Sequence, residues 1–385
     1  MTLLTRLGQA KARKRPGSGG RRHSSSLMIP AAMAFTTMTA TASGYSGIAQ
    51  YRSHRQQVSQ VAVKIGELHE KHRQFSVRGL SFSPDGQTIA ADSGFASIEI
   101  WNWRSGRARY LDAPAGFGGG LVVDPVQYSP DGRLLAVCGW KGVGNVAIRV
   151  WNTSDWSVLR DIVDSEPGGC RSMAFTPDGK FLVYAGYRVL RPSDLVAYAT
   201  DSWRVAWRIE LGAWPHISVE PQGLAANPDG RLLGVSATVR NTYKSGPSRQ
   251  EQTVYIVDNA ARAIVRKYNG DAGGPLAWSP NGSRLAVAMA RGGFETLDAT
   301  SGKPIVNQSM PEAAHMYVRF TADSRYLVES DSNGQGTGLG VGIWSGEGEK
   351  LLQKVRGDSA SIALSRDGKF LAIGGLGFIT IWQFK

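Results

Sequence analysis

A four-residue turn motif recurs seven times along this chain, and that repetition constrains the fold more than any other feature. It reads Ser83-Pro84-Asp85-Gly86, Ser129-Pro130-Asp131-Gly132, Thr176-Pro177-Asp178-Gly179 and Asn227-Pro228-Asp229-Gly230. It continues as Ser279-Pro280-Asn281-Gly282, Thr321-Ala322-Asp323-Ser324 and Ser365-Arg366-Asp367-Gly368. Successive Asp/Asn positions lie 46, 47, 51, 52, 42 and 44 residues apart. Proline presets φ at the first central position, Asp or Asn suits the second, and glycine takes the left-handed conformation that closes a hairpin. An apolar residue stands just before each turn (Phe82, Tyr128, Phe175, Ala226, Trp278, Phe320, Leu364), and a short apolar run follows, as in Leu134-Leu135-Ala136-Val137. Units of this size bury their apolar faces only against one another, so the array must stack.

A third segment in each unit alternates with period two: Ile98-Glu99-Ile100-Trp101-Asn102, Ile148-Arg149-Val150-Trp151-Asn152, Val254-Tyr255-Ile256-Val257-Asp258, Phe294-Glu295-Thr296-Leu297-Asp298, Gly342-Ile343-Trp344 and Ile379-Thr380-Ile381-Trp382. That period specifies strands. A fourth strand follows most of these, such as Ala108-Arg109-Tyr110-Leu111. The Ser-Pro-Asp-Gly turn, the apolar strand and the Ile-x-Ile/Val-Trp-Asp/Asn strand together resemble the WD-repeat family in its bacterial, YVTN/WD-like form, over about residues 58–385. The terminal Trp-Asp pair is mostly Trp-Asn or absent, as at Ala199-Thr200, the Gly-His pair before the first strand is missing, and the sixth turn is degenerate. The expected fold is all-β: a seven-bladed β-propeller of four-stranded antiparallel blades. The chain ends on a third strand, Ile379 to Phe384, so Val58-Ser59-Gln60-Val61-Ala62-Val63-Lys64 is expected to complete the last blade and remove an exposed edge.

The formal charge of +13 is a property of one end. Ten of the 44 Lys/Arg (Arg6, Lys11, Arg13, Lys14, Arg15, Arg21, Arg22, Arg52, Arg55, Lys64) lie in residues 1–66, which hold none of the 31 acids; the remainder carries +3. A large nucleic-acid face is therefore not implied. Residues 24–51 carry no charge, and Leu27-Met28-Ile29-Pro30-Ala31-Ala32-Met33-Ala34-Phe35 precedes the small-residue run Ala40-Thr41-Ala42. Basic, apolar, small is the order of a secretory signal. The Arg21-Arg22 pair resembles the twin-arginine export signal, from which Ser24 and Ser25 depart. Residues 1–42 are thus expected to be a signal or anchor segment and 43–57 a linker, before a propeller at 58–385. The periplasm or the inner membrane is the expected location. An uncleaved anchor, a mitochondrial presequence and a basic leader on a cytoplasmic protein remain open.

Two cysteines, Cys138 and Cys170, are too few for a disulfide framework. Both fall toward the same axial end of neighbouring blades. Two buried thiols are the expected state, since free cysteine packs as a small hydrophobe; a disulfide is the alternative.

The first-to-second and third-to-fourth turns are short, so the long connections should crowd the other face. They are 113–122, 139–146, 186–194, 211–221, 237–252 and 331–339. They carry Phe117, Trp140, Lys141, Tyr187, Arg188, Arg191, Trp214, His216, Tyr243, Lys244, Arg249 and Asn333. Long loops on a rigid scaffold are where binding concentrates, and aromatics with arginine are the types that anchor interfaces. A merely solvated face is the alternative.

Catalytic and cofactor signals are weak. The six histidines show no ligand spacing, Gly116-Phe117-Gly118-Gly119-Gly120 lacks the Lys-Ser/Thr end of a phosphate loop, and the recurrent tryptophans fit core packing better than cofactor stacking. No metal and no cofactor is expected. The leading expectation is a non-enzymatic scaffold, monomeric in its propeller, that binds a protein or peptide through the long-loop face, with membrane contact through the leader. A tunnel hydrolase or lactonase would draw on Asp124, Glu220, His315 and Asp358, which are scattered over blades 2, 4, 6 and 7. An exported glycan or cell-wall binder is the third possibility, with Trp140 and Trp214 as platforms.

Overall fold

In the computed structural model, the described residues are 60–70, 76–92, 97–112, 125–139, 146–163, 168–188, 191–212, 217–241, 249–290, 292–310, 314–332, 340–355 and 361–385. All belong to the unit that spans Arg55–Lys385. The segments expected to be a leader, 1–42, and a linker, 43–57, lie outside them.

The protein is a seven-bladed β-propeller, each blade a four-stranded antiparallel sheet. Strand β1 is Ala62–His69. Blade 1 is β2 (Gly79–Phe82), β3 (Thr88–Asp92), β4 (Ser97–Asn102) and β5 (Arg107–Asp112). Blade 2 is β6 (Val126–Tyr128), β7 (Leu134–Cys138), β8 (Val146–Asn152) and β9 (Val158–Val163). Blade 3 is β10 (Gly168–Phe175), β11 (Phe181–Arg188), β12 (Ser193–Ala199) and β13 (Val205–Leu211). Blade 4 is β14 (Ile217–Ala226), β15 (Leu232–Asn241), β16 (Arg249–Asp258) and β17 (Ala263–Gly270). Blade 5 is β18 (Ala272–Trp278), β19 (Arg284–Met289), β20 (Gly293–Asp298) and β21 (Pro304–Ser309). Blade 6 is β22 (Ala314–Phe320), β23 (Tyr326–Ser332), β24 (Gly340–Ser345) and β25 (Leu351–Val355). Blade 7 is β26 (Ser361–Leu364), β27 (Phe370–Gly374) and β28 (Phe378–Phe384), completed by β1 on its outer edge.

The recurrent turn works as a small hydrogen-bonded unit. In blade 2, Ser129 Oγ donates to Asp131 Oδ1 at 2.6 Å, Asp131 Oδ1 accepts from Arg133 N, and Ser129 Oγ accepts from Leu134 N. Gly132 sits at φ 75° and its N–H returns to Ser129 O. The degenerate sixth turn keeps the same bonds: Thr321 Oγ1 donates to Asp323 and Ser324 takes the glycine's place at φ 59°. The third-to-fourth turns use the residue that ends the third strand. Asn102, Asn152, Asp258 and Asp298 each accept from backbone N–H groups two or three residues on.

Each blade seam holds one apolar cluster, seven in all. The third-strand tryptophans pack there, and three of their indole N–H groups have acceptors: Glu99 for Trp101, Glu329 for Trp344 and Thr380 for Trp382. Buried indoles usually find such a partner.

Ring closure follows the sequence reading with a shift along the chain. β1 pairs antiparallel with β28, Ala62 opposite Phe384 and His69 opposite Phe378. The strand runs past Lys64 because a bulge at Ile65 resets the alternation, and that side chain turns out to solvent. Gln353 of blade 6 clamps the start of β1. Its Oε1 accepts from Ala62 N at 2.8 Å and its Nε2 donates to Ala62 O at 3.0 Å.

Candidate interaction face

Antiparallel blades put the seven recurrent turns and the third-to-fourth hairpins at one end. The second-to-third and blade-to-blade connections lie at the other. On that second face the blades differ in reach. In blade 1, β2 and β3 hold four and five residues, whereas β14, β15 and β16 of blade 4 hold ten each.

This corrects the expectation of long loops at 186–194, 211–221 and 237–252. Much of that sequence is strand. The β15–β16 ladder continues through Thr238 opposite Gln252 to Asn241 opposite Arg249, and Val235, Ala237 and Val239 stay buried along it. The polar residues that suggested a loop occupy the other side of the same hairpin.

Of the residues expected on this face, Phe117, Trp140, Lys141, Trp214, His216, Tyr243, Lys244 and Asn333 lie outside the described residues. Arg249 is described only as the first residue of β16. Tyr187 is half-buried, with the Arg171 guanidinium 5.3 Å from its ring centre. Arg191 is partly exposed. Arg188 is a correction: its side chain is 1% exposed and stands 3.2 Å from Asp194, so it braces the face from within.

Asp194 is the centre of an ionic group. It is fully buried, on the side of β12 that carries Val196 toward blade 2. Arg188, Arg191 and Arg208 surround it, at 3.2, 2.9 and 3.4 Å. Gly186 opposite makes room: a Cβ there would come within 2.6 Å of Asp194 Oδ1 and 2.9 Å of Arg188 Nη2. A second group lies on the inner strands of blades 3 and 4. Glu220 pairs with Arg171, which stands at a bulge in β10, and with Arg240 of β15 at 2.7 Å. Glu220 is thus held between two guanidinium groups. Asp124 and Asp358 lie outside the described residues, as does the His315 side chain, so no converging set is present among the described residues. Nor do the described residues contain a group of three or more His, Cys, Asp or Glu able to hold a metal.

The two cysteines form a disulfide, which corrects the expectation of free thiols. Cys138 ends β7 and Cys170 lies in β10, both buried in the blade 2–3 seam. Their Cα atoms are 5.7 Å apart, within the range a disulfide spans.

Acidic groups are buried at the same end of other seams. Glu70, between blades 7 and 1, is 2% exposed and neither carboxyl oxygen has a hydrogen-bond partner. Burial, with Glu99 and Asp92 nearby, pushes its pKa up to about 8. Glu295, beside Asn307, is also raised, by burial first and by Asp271 in lesser part. An open polar cleft of about 660 Å³ lies between blades 4 and 5. The signal for these groups was present in the sequence as a charged residue inside an apolar alternating run, such as Asp194 before Leu195-Val196-Ala197.

No family model matches the chain. Protein HIR1 of Mycosarcoma maydis is 30% identical over 112 residues, 28% of this chain and 10% of that protein. Apoptotic protease-activating factor 1 of Mus musculus is 32% identical over 108 residues, 26% of this chain and 8% of that protein. The matched stretches thus span a tenth or less of these curated relatives. Both relatives contain WD repeats, and with the seven blades they fit a WD-like propeller.

Proposed function

We propose that the chain is a non-enzymatic WD-like scaffold that holds a protein or peptide partner across its long-loop face, outside the cytoplasm. The observation that carries the reading is the projecting sheet of blades 3 and 4. Its strands outreach those of blade 1, and two buried ionic groups brace it. A surface stiffened in this way lowers the ordering cost of association. The WD-repeat relatives support a scaffold role in the same sense.

Disulfides persist in oxidising compartments and are rare in the cytosol. The buried Cys138–Cys170 bond and the basic-apolar-small order of residues 1–42 therefore support export or anchoring.

Site-directed photo-crosslinking in the native host tests the binding face. A crosslinker at Glu210, exposed near the end of β13 on this face, should capture one recurring protein, and one at Asp201 or Arg104, at the opposite end, should not. Equal capture from both ends would sink the reading. Intact mass of the fractionated protein tests export, with a mature form starting near Ser43 as the expected product.

A further inference from the structure

The polar cleft between blades 4 and 5 is lined by Gln250, Glu251, Gln252, Asn269, Asp271 and Ala290. Its volume of about 660 Å³ is in the range of small-ligand sites. The lining is built into the sheet. Gly273 has no side chain where a Cβ would overlap Gln252, so the Gln252 amide can lie across the start of blade 5. Thr238 Oγ1 holds Gln252 Oε1 at 3.0 Å, and Thr253 Oγ1 holds Asn269 Oδ1 at 3.1 Å. With both amide oxygens engaged, these side chains offer N–H donors. Asp271, which is exposed, offers a carboxylate acceptor, and Glu251 adds negative charge to the lining.

That mixture selects among ligand classes. An anion meets two carboxylates. An apolar ligand loses the hydration of the polar lining without replacing it. A cation satisfies the carboxylates but faces the amide N–H groups. A hydroxyl both donates and accepts, so adjacent hydroxyls suit alternating carboxylate and amide groups. We infer that this cleft is a saccharide site, sized for a mono- or disaccharide. The inference goes beyond the protein-partner reading, although Gln250 stands opposite Arg240 on the hairpin that the reading also uses.

Saturation-transfer NMR on the full chain tests it, with glucose, N-acetylglucosamine, maltose, trehalose and chitobiose as probes and N-acetylarginine amide as the cationic alternative. At least one saccharide should bind. Its affinity should fall about ten-fold or more in Asp271→Ala and in Gln250→Ala, the loss of one or two hydrogen bonds to the ligand. Arg104→Ala, at the opposite end, should leave it unchanged. Asp271 is exposed, so the variant's melting curve should overlay the parent; should it unfold, Gln250→Ala decides. Absence of saccharide binding, binding insensitive to both variants, or binding of the arginine amide alone with loss in Asp271→Ala would each overturn the inference. Crosslinking from the long-loop face is read separately, so the two ideas can fail independently.

Discussion

Cys138 and Cys170 are bonded across the seam between blades 2 and 3, joining the end of a second strand to the first strand of the next blade. The bond closes a loop with a sequence separation of 32 residues and ties two sheets that also meet through an apolar seam and a Gln127 Nε2 to Met173 O hydrogen bond. Replacing both cysteines by serine should lower unfolding stability by about 2–4 kcal/mol. Denaturant titration of the oxidised parent and the variant measures it. A thiol assay of the denatured, unreduced parent should find no free cysteine.

Glu70 sets a pH dependence with a definite sign. Its folded pKa, about 8, lies above the ordinary 4.5 because burial, Glu99 and Asp92 oppose ionisation. The folded state therefore holds a proton that the unfolded chain releases earlier. Its contribution to stability is complete below about pH 4.5, declines as pH rises, and is gone above about pH 8. Glu70→Gln keeps the neutral shape and removes that loss. The variant should gain stability over the parent at pH 8.5 and little at pH 4.5, by urea unfolding. A constant difference at both pH values would refute this account.

Asp194 is buried among three arginines, and removing it would strand Arg188 without its carboxylate. Asp194→Ala should cost about 3–5 kcal/mol. Gly186→Ala should also destabilise, since its new methyl would press on the same pair. Glu67→Ala, at a half-exposed pair with Lys64 and His69, should cost less than about 1 kcal/mol. Thermal melts of the three variants give the ranking.

The recurrent turn makes the fold acid-sensitive. In Asp131, burial alone would raise the pKa, but hydrogen bonds from Ser129 and from Arg133 N, with the Arg133 charge, outweigh it and lower the value. Asp178, Asp323 and Asp367 are lowered in the same way. Their stabilisation is complete above the ordinary 3.8 and is lost as pH falls through the lowered folded values. Acid unfolding should therefore sharpen below about pH 4. In Asp131→Ala it should be shallower, with a loss of about 1 kcal/mol at neutral pH, as read by circular dichroism across pH.

The blade count, strand order and closure by an N-terminal strand were legible because each rests on local chemistry repeated at fixed spacing. Even the altered turn at Thr321-Ala322-Asp323-Ser324 kept enough of it. The boundary of β1 was less so, since the Ile65 bulge interrupts the alternation that marks a strand. The long hairpin of blade 4 read as loop because Thr238, Arg240, Gln250 and Gln252 are polar, and the ladder that orders them leaves no trace in composition. The disulfide needed a distance: sequence placed both cysteines at one end of neighbouring blades, but only the fold brings the Cα atoms to 5.7 Å. The cleft between blades 4 and 5 draws on residues from the end of one blade and the start of the next, and no motif joins them.

The pairing of Ala62 with Phe384 gives the ring a mechanical weak direction. These residues are partners at the same end of one antiparallel ladder. Tension between them loads the hydrogen bonds in succession and peels the strand like a zipper. A pull applied along the strands would instead load them together. A propeller tethered through the segment before β1 and tugged through its C-terminal strand would yield first at this latch, and the Gln353 clamp on Ala62 stands at the point where the peel must begin.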